Sequence, residues 1–222
     1  MNLTLFDLDG TLLPIDSDHA FGQFMVRTGW ADGAAFQAEN DRFFADYQAG
    51  RLDLAAYIRF ATSPWRDRPF AEIEAGRVRF FEEAIQPVLH DSARALVRGH
   101  AEAGDLIAIV TATNEFVTQP IARAFEVPTL IAVELARDAQ GRVTGDIQGI
   151  PSYREGKVPR VEAWLAAQGR QRADFDRITV YSDSTNDLPL LEWATDAVAT
   201  NPSAALEAIA RERGWRILRL FE

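Results

Sequence analysis

The feature that most constrains the fold is a short apolar segment that ends in two closely spaced carboxylates. Residues 3–6 are too few for a helix and enough for a buried strand, and Asp-Leu-Asp-Gly-Thr follows them at 7–11. At the carboxyl end of a buried parallel strand, such a cluster lies where α/β proteins bind their ligands. A solvated Asp-Gly turn that closes a hairpin has a similar sequence, so the cluster alone favours chemistry only modestly.

The composition indicates a folded protein and excludes several functional classes. The 222 residues carry a formal net charge of −10, which argues against binding to nucleic acid or to anionic membranes. There is no cysteine, and the three histidines show no metalloprotease spacing, so thiolate catalysis and cysteine-bound zinc are excluded. No apolar segment approaches membrane-spanning length and residues 1–6 do not resemble a signal peptide, so we expect a cytoplasmic location.

The segment from residue 15 to residue 86 shows helical periodicity and no clear strand. Helices are predicted at residues 18–29, 32–48, 53–62 and 69–85. Asp18 is the predicted N-cap of the first of them. This segment is therefore expected to form a small all-helical domain inserted after the first strand.

After residue 87, helices alternate with strands. Strands are predicted at residues 106–110, 129–134, 177–181, 196–199 and 215–220, with a hairpin between 137 and 149 and a helix over 152–168. Repeated βα units imply a parallel sheet covered on both faces. We therefore predict an α/β protein with a Rossmann-like core, residues 1–14 and 87–222, and an inserted helical cap domain, residues 15–86.

Three further polar clusters follow predicted strands, at the same edge of the sheet as Asp7. Thr-Ala-Thr-Asn at 111–114 can bind a phosphate oxygen or merely cap a helix. Lys157, the only lysine in the sequence, can balance charge on a phosphoryl group or be a solvated helix residue. Asp183 and Asp187 can supply oxygen ligands for Mg²⁺ or form an acidic helix start. Four such clusters at one edge are harder to attribute to chance than any single one.

In order and spacing, these four clusters resemble the motifs of haloacid dehalogenase superfamily phosphohydrolases. The resemblance spans nearly the whole chain, and the helical insert resembles the cap of the phosphoserine phosphatase-like branch. One residue departs from the pattern: Ser182 stands where the family usually has glycine before the acidic pair. This departure affects the local loop geometry but removes no catalytic group.

The resemblance implies a role for each acidic motif residue. Asp7 would attack phosphorus and form an aspartyl phosphate, and Asp9 would act as general acid and then as general base. The side chains of Asp7 and Asp183 and the backbone carbonyl of Asp9 would hold Mg²⁺. Asp187 and Asn186 would orient that coordination shell.

The resemblance also implies which residues bind the phosphoryl group. Its oxygens would be held by Thr11, Thr111, Ala112 and Lys157, and Thr111 and Lys157 would also balance the charge that develops in the reaction. The presence of Asp9 argues against dehalogenation, because the halide-removing branch lacks this second aspartate and a halide needs no proton.

The helical insert would select the substrate. Asp16 aligns with the position where phosphoserine phosphatases carry an acidic residue facing the substrate amine, and Asp18 and His19 lie close to it. Glu-Asn-Asp at 39–41 is either a second part of this site or a solvated helix face. Three arginines are candidates for a carboxylate clamp, although a surface role is favoured for each: Arg59, Arg66 and Arg68.

We therefore predict a Mg²⁺-dependent phosphomonoester hydrolase whose substrate is a small phosphorylated metabolite with a cationic amine. The sequence of the insert resembles uncharacterised or histidinol-phosphatase-like members more than true phosphoserine phosphatases, so histidinol phosphate is preferred and phosphoserine is the alternative. Two other classes stay open: a phosphotransferase or mutase, and a non-catalytic phosphate-binding module.

Overall fold

The computed structural model describes residues 1–221, and its main element is a six-stranded parallel sheet. In chain order the strands are β1 (Asn2–Phe6), β2 (Leu106–Asn114), β3 (Leu130–Val133), β4 (Leu135–Arg137), β5 (Val143–Ile147), β6 (Arg177–Ser182), β7 (Asp196–Thr200) and β8 (Arg216–Leu218). The sheet has the order β3-β2-β1-β6-β7-β8, and β4 and β5 form a separate antiparallel hairpin. Because β1 lies between β2 and β6, the residues that follow these three strands are neighbours in space.

Helices cover both faces of the sheet, and five of them lie between β1 and β2, the first four of them in the insert. In chain order they are α1 (Ser17–Arg27), α2 (Gly33–Gln48), α3 (Leu54–Thr62), α4 (Phe70–Phe80), α5 (Asp91–Glu102), α6 (Glu115–Ala124), α7 (Lys157–Ala166), α8 (Leu188–Trp193) and α9 (Ala204–Arg213). Short 3₁₀ or π-helical segments lie at Phe81–Ile85, Gln86–Val88, Arg154–Gly156, Arg172–Asp174 and Thr185–Asp187. None of the helices described within residues 1–221 is long and apolar enough to cross a membrane. The predicted α/β core with a helical insert is confirmed.

Successive side chains of a strand point to opposite faces of the sheet, and this divides the apolar side chains between two cores. Leu3 and Leu5 of β1 pack on one face of the sheet, in a cluster that includes Leu206 of α9. Phe6 points to the other face and belongs to a cluster that continues into the insert through Phe21. The insert therefore does not stand apart from the core, because one continuous apolar cluster joins them.

Two predicted element boundaries were wrong. The strand predicted to end at residue 110 runs on to Asn114, because after an irregularity it pairs again with β3 through Asn114 and Val133. The helix predicted from residue 152 begins at Lys157, after the 3₁₀ turn Arg154–Gly156. Pro159 lies in the first turn of α7, where its missing N–H costs no helical hydrogen bond.

The predicted N-cap of α1 was also wrong. Asp16, and not Asp18, caps the helix: its backbone is extended and its carboxylate accepts the His19 N–H at 2.7 Å. Asp18 lies in the first turn, and its side chain is buried. It is consequently free to contact other elements.

The β4–β5 hairpin lies against the helical insert although it follows the core strand β3. Arg59 of α3 pairs with Asp146 of β5 at 3.2 Å, and Arg66 donates to the Thr144 carbonyl at 3.2 Å. Residues outside 15–86 thus pack directly against the insert. The assignment of residues 1–14 and 87–222 to the core and 15–86 to the cap stays a prediction.

Candidate active site

The loop after β1 is tight and holds its carboxylates next to the strand ends. The Asp7 N–H continues the sheet by donating to Tyr181 O at 2.9 Å, and Leu8 O then accepts three successive N–H groups at 2.8–3.2 Å, those of residues 11–13. Gly10 has a φ of 77°, and a Cβ there would lie 2.4 Å from an Asp183 carboxylate oxygen. A glycine is therefore required both by the backbone conformation and by the close approach of Asp183.

Lys157 is enclosed between two carboxylates. Its ammonium lies 2.8 Å from Asp7 Oδ1 and 2.7 Å from an Asp187 oxygen, and its side chain is only 1% exposed. Burial opposes the charged ammonium, but the charges of Asp187 and Asp7 outweigh it and hold the pKa of Lys157 above its usual value. Lys157 is consequently a fixed positive charge beside Asp7.

Ser182, the residue that departs from the family pattern, supports Asp187. Its hydroxyl donates to Asp187 Oδ2 at 2.8 Å, and this contact is buried. Asp187 thus accepts hydrogen bonds from both Ser182 and Lys157. The substitution of the usual glycine adds a hydrogen bond to the site and leaves its charges unchanged.

Thr11 connects the two carboxylates predicted to bind metal. Its hydroxyl lies 3.2 Å from Asp7 Oδ2 and 3.3 Å from Asp183 Oδ1. Burial and the negative charges of Asp7 and Asp187 raise the pKa of Asp183 well above its usual value. We call Asp7, Lys157, Asp183 and Asp187 the core-side cluster; it contains more negative than positive charge.

This donor set fits a magnesium ion. Within residues 1–221, no three His, Cys, Asp or Glu side chains form a typical metal-binding group. Mg²⁺ commonly takes only one or two protein carboxylates and completes its shell with waters and phosphate oxygens. The side chains of Asp7 and Asp183 meet that requirement. The Thr11 hydroxyl lies between them, and the cluster has more carboxylates than cations.

Asp9 lies beside this cluster with a different set of partners. Its Oδ1 accepts the Ser17 N–H and its Oδ2 accepts the Thr113 hydroxyl, each at 2.8 Å. Burial and the charge of Asp16 outweigh these hydrogen bonds and raise the pKa of Asp9 from 3.8 to about 7. A carboxyl group with such a pKa can both donate and accept a proton near neutral pH.

The end of β2 forms another wall. Thr111, Ala112 and Thr113 line the same cavity as Asp7 and Asp9. Asn114 is the N-cap of α6, with its Oδ1 accepting the Val117 N–H at 3.2 Å, so the capping alternative applies to this residue and not to the whole 111–114 cluster.

Asp16 and Asp18, at the start of the helical insert, line the same cavity, and we call them the insert-side acids. Asp18 accepts a hydrogen bond from Asn114 Nδ2 at 3.2 Å and one from the Tyr57 hydroxyl. Burial raises the pKa of Asp16 to about 6, and burial with the charges of Asp16 and Asp9 raises that of Asp18 well above its usual value. Their partners are all neutral, so their charges are not compensated.

The same cavity has an aromatic wall. His19 stacks on Phe44 with ring centroids 4.5 Å apart, and its Nε2 lies 2.7 Å from Asp41. The other aromatic residues that line the cavity are Phe43, Tyr47 and Tyr57. The wall offers flat apolar surface next to the insert-side acids.

The second polar cluster of the insert, residues 39–41, divides between the cavity and the surface. Asn40 is buried, lines the cavity and donates to His19 O at 3.0 Å. Glu39 pairs with Arg42 on the helix surface. The three arginines considered for a carboxylate clamp, Arg59, Arg66 and Arg68, do not line the cavity.

The structure thus places Asp7, Asp9 and Thr111 on the lining of one cavity, and Lys157 reaches this site through its hydrogen bond to Asp7. It also adds residues that sequence reasoning missed. Thr113 and Tyr57 contact Asp9 and Asp18, and Asn201 Nδ2 donates to Gly10 O at 3.0 Å. Thr113 lies two residues beyond Thr111 in the same polar cluster, so its place at the site could have been predicted from the sequence. Asn186 donates to Tyr47 O at 3.0 Å, so its side chain contacts the insert, and its predicted role near the metal stays a prediction.

Comparison with known proteins shows which family the chain resembles. A family profile described as haloacid dehalogenase-like hydrolase matches residues 4–192. A protein named histidinol-phosphatase from Neisseria meningitidis serogroup C is 40% identical over 217 residues, which is 98% of both chains. Phosphoserine phosphatase SerB1 from Mycobacterium tuberculosis is 31% identical over 215 residues, 96% of this chain and 68% of that protein.

Solved structures share the fold over nearly the whole chain. A protein of unknown function from Bordetella pertussis Tohama I has a TM-score of 0.93 and 47% identity, with 99% of each chain covered. A substrate-bound phosphoserine phosphatase has a TM-score of 0.68 at 18% identity, covering 97% of this chain and 91% of that one. The second likeness supports the fold alone. On the family match and its close relatives, this chain belongs to the haloacid dehalogenase-like hydrolases and is a phosphatase that acts on a small substrate.

Proposed function

We propose that this phosphatase is a Mg²⁺-dependent phosphomonoester hydrolase that works through an aspartyl phosphate and prefers histidinol phosphate. The observation that carries the proposal is a single cavity with two chemically different sides. One side has Asp7 hydrogen-bonded to the buried ammonium of Lys157, and the other has the insert-side acids without a cationic partner.

The core side suits phosphoryl transfer to a carboxylate. An oxygen of Asp7 bonds to phosphorus while the bond to the leaving oxygen breaks, and Asp9 gives that oxygen its proton. Water then attacks the phosphorus of the aspartyl phosphate while Asp9 takes a proton from that water. The bond from phosphorus to the Asp7 oxygen breaks, which releases inorganic phosphate and restores the Asp7 carboxylate. Lys157 and Thr111 would bind the phosphoryl oxygens, and Mg²⁺ held by Asp7, Asp183 and the Asp9 carbonyl would neutralise their charge.

The insert side suits a substrate with a cation and without a carboxylate. Among the described residues that line the cavity, none is a lysine or an arginine. A substrate carboxylate would therefore meet Asp16 and Asp18 with no cation to offset the repulsion. Histidinol phosphate has an amine for these acids and an imidazole ring for the wall of His19 and Phe44, and it has no carboxylate.

The relatives support this choice without deciding it. The relative that is 40% identical is named histidinol-phosphatase, and the one that is 31% identical is named phosphoserine phosphatase. Phosphoserine is therefore the alternative substrate. Its carboxylate makes it the less favoured of the two.

A panel of phosphomonoesters with Mg²⁺ tests the substrate. It compares L-histidinol phosphate, phosphoethanolamine, L-phosphoserine and p-nitrophenyl phosphate by release of inorganic phosphate. We expect kcat/KM for histidinol phosphate to exceed that for phosphoserine by at least about 100-fold, since a buried charge without a partner is strongly rejected. Phosphoethanolamine, which has the amine but no ring, should lie between them. A preference for phosphoserine or a sugar phosphate would refute the substrate assignment.

The Asp7→Asn variant tests the chemistry. Removing a nucleophile should lower kcat for p-nitrophenyl phosphate by at least about 1,000-fold. Undiminished hydrolysis in this variant would exclude the aspartyl phosphate, and wild-type protein without any hydrolysis would instead favour the non-catalytic module. Equal release of alcohol and inorganic phosphate in the presence of a second alcohol would exclude a phosphotransferase.

A further inference from the structure

Two loops of the core contact the C-terminal end of α2. Arg154 Nη1 donates to Gly50 O at 2.8 Å, and Asn186 Nδ2 donates to Tyr47 O at 3.0 Å. The last carbonyls of a helix have no partners in the next turn, and a cationic side chain is favoured near them by the helix dipole. One of the two loops leads into Lys157, and the other carries Asp187.

Arg154 is also linked to Lys157 through the backbone. The Lys157 N–H donates to Arg154 O and closes the 3₁₀ turn that precedes α7. The turn is tightly packed, since a Cβ at Gly156 would lie 2.1 Å from Pro151 O. A displacement of Arg154 therefore moves the first residue of α7, which is Lys157.

The backbone of Arg154 is in an unfavourable conformation for its residue type. Its φ is 50°, in the left-handed region that favours glycine. Glycine would satisfy the turn at a lower conformational cost, so the shape of the turn does not explain an arginine here. Besides its contacts with the neighbouring Glu155 and Tyr153, the arginine adds a hydrogen bond from its guanidinium to the end of α2.

We propose that Arg154 is a positioning residue: by holding the end of α2, it fixes the turn that places Lys157 between Asp7 and Asp187. Asn186 donates a hydrogen bond to the same helix end. The next residue in the chain is Asp187, the second carboxylate that contacts the Lys157 ammonium. The end of α2 is therefore a common support for Lys157 and for one of its carboxylate partners. This inference rests on the proposed function for its kinetic consequences and on geometry alone for its structural ones.

The kinetic test compares variants that separate the guanidinium from the backbone conformation. Arg154→Ala and Arg154→Gly both remove the contact, but Arg154→Gly also relieves the left-handed strain. We expect kcat for p-nitrophenyl phosphate with Mg²⁺ to fall about 10-fold in both, because one hydrogen bond from a charged donor is lost. KM should change by less than about 2-fold, since Arg154 does not line the cavity. Wild-type kcat in Arg154→Gly would show that only the turn matters and would overturn the proposal.

Two further variants serve as controls. Arg154→Lys keeps a cationic donor and should recover part of the lost kcat. Arg51→Ala removes an arginine next to Gly50 that is 65% exposed and pairs with Asp46 of the same helix. It should keep wild-type kinetics; a fall equal to that of Arg154→Ala would show that any disturbance of this helix end suffices, against the proposal.

Amide hydrogen exchange tests the coupling without reference to activity. In Arg154→Ala, amides at residues 47–51 and at 153–157 should both exchange at least about 5-fold faster than in the wild type, with the central strand β1 unchanged. Faster exchange at residues 47–51 alone would contradict the link to Lys157. If the wild type hydrolyses no phosphomonoester, the proposed function fails, but the exchange experiment still decides the role of Arg154.

Discussion

The two sides of the cavity differ in how their charges are compensated. On the core side, Asp7 and Asp187 share the buried ammonium of Lys157, and the remaining negative charge suits a divalent ion. On the insert side, Asp16 and Asp18 have only neutral partners, such as the Asn114 amide and the His19 N–H. The core side is thus suited to any phosphomonoester, whereas the insert side is completed by a cationic group of the substrate.

This difference separates the general chemistry from the selection of the substrate. Substitutions on either side of the cavity can test it. Changes on the core side should affect all substrates alike. Changes on the insert side should affect only substrates with an amine. The division would be contradicted by a core-side variant that affects only substrates with an amine, or by an insert-side variant that affects all substrates.

After the loss of the nucleophile in Asp7→Asn, the largest effect is expected from Lys157→Met, which removes the only cation of the core-side cluster at similar volume. We expect kcat to fall about 100- to 1,000-fold for every phosphomonoester, because the transferring phosphoryl group loses a positioned positive charge. Steady-state kinetics with histidinol phosphate and p-nitrophenyl phosphate measure this, and circular dichroism checks the fold. A loss confined to histidinol phosphate would place Lys157 in substrate recognition and break the comparison.

A smaller and selective effect is expected from Asp18→Asn. The amide keeps the size of the side chain and removes its charge, so kcat/KM for histidinol phosphate should fall about 10- to 100-fold, the usual cost of losing a charged hydrogen bond. Hydrolysis of p-nitrophenyl phosphate should stay within about 3-fold of wild type, since it has no amine to pair with. Glu39→Gln, at a surface acid of α2 that pairs with Arg42, is the matched control and should change neither.

The core side was more predictable from sequence than the insert side, for a physical reason. Asp7 and Asp183 follow strands of one parallel sheet, and the order of such strands fixes where the residues after them lie. Asp16 and Asp18 begin a helix, where either can serve as cap, and the backbone of the folded chain decides which one does. The contact between Asp18 and Asn114 also depends on how far β2 extends, which periodicity did not predict.

Both sides of the cavity carry more carboxylates than cations, so the folding stability of the metal-free protein should depend on pH. Burial raises the pKa of Asp7 and of Asp9 from 3.8 to about 7, so in metal-free protein the folded state holds protons that the unfolded chain releases above pH 4. Stability is therefore greatest at low pH within this window and is lost as pH rises toward 7. One pKa unit corresponds to about 1.4 kcal/mol, so the Tm in EDTA should fall by several degrees between pH 5 and pH 7.5.

Magnesium distinguishes the two sides in the same experiment. It should raise the Tm more at pH 7.5 than at pH 5, because it replaces protons on the core-side carboxylates. Asp18→Asn should raise the metal-free Tm at pH 7.5 and leave the Mg²⁺ increment intact. A Tm that rises with pH in EDTA would contradict the upward pKa shifts.

The smallest effect is expected at Ser182, where the chain departs from its family. Ser182→Ala removes the hydroxyl that donates to Asp187, but Lys157 still donates to the same carboxylate. The loss of one neutral donor should lower kcat about 2- to 5-fold for all substrates, as expected for a hydrogen bond with a modest net contribution.

Ser182→Gly restores the residue usual in the family and should behave like Ser182→Ala if the hydroxyl alone matters. Higher activity in Ser182→Gly than in Ser182→Ala would show that backbone freedom at this position compensates for the missing donor. A fall limited to amine-bearing substrates in either variant would mean that the core side also takes part in substrate choice.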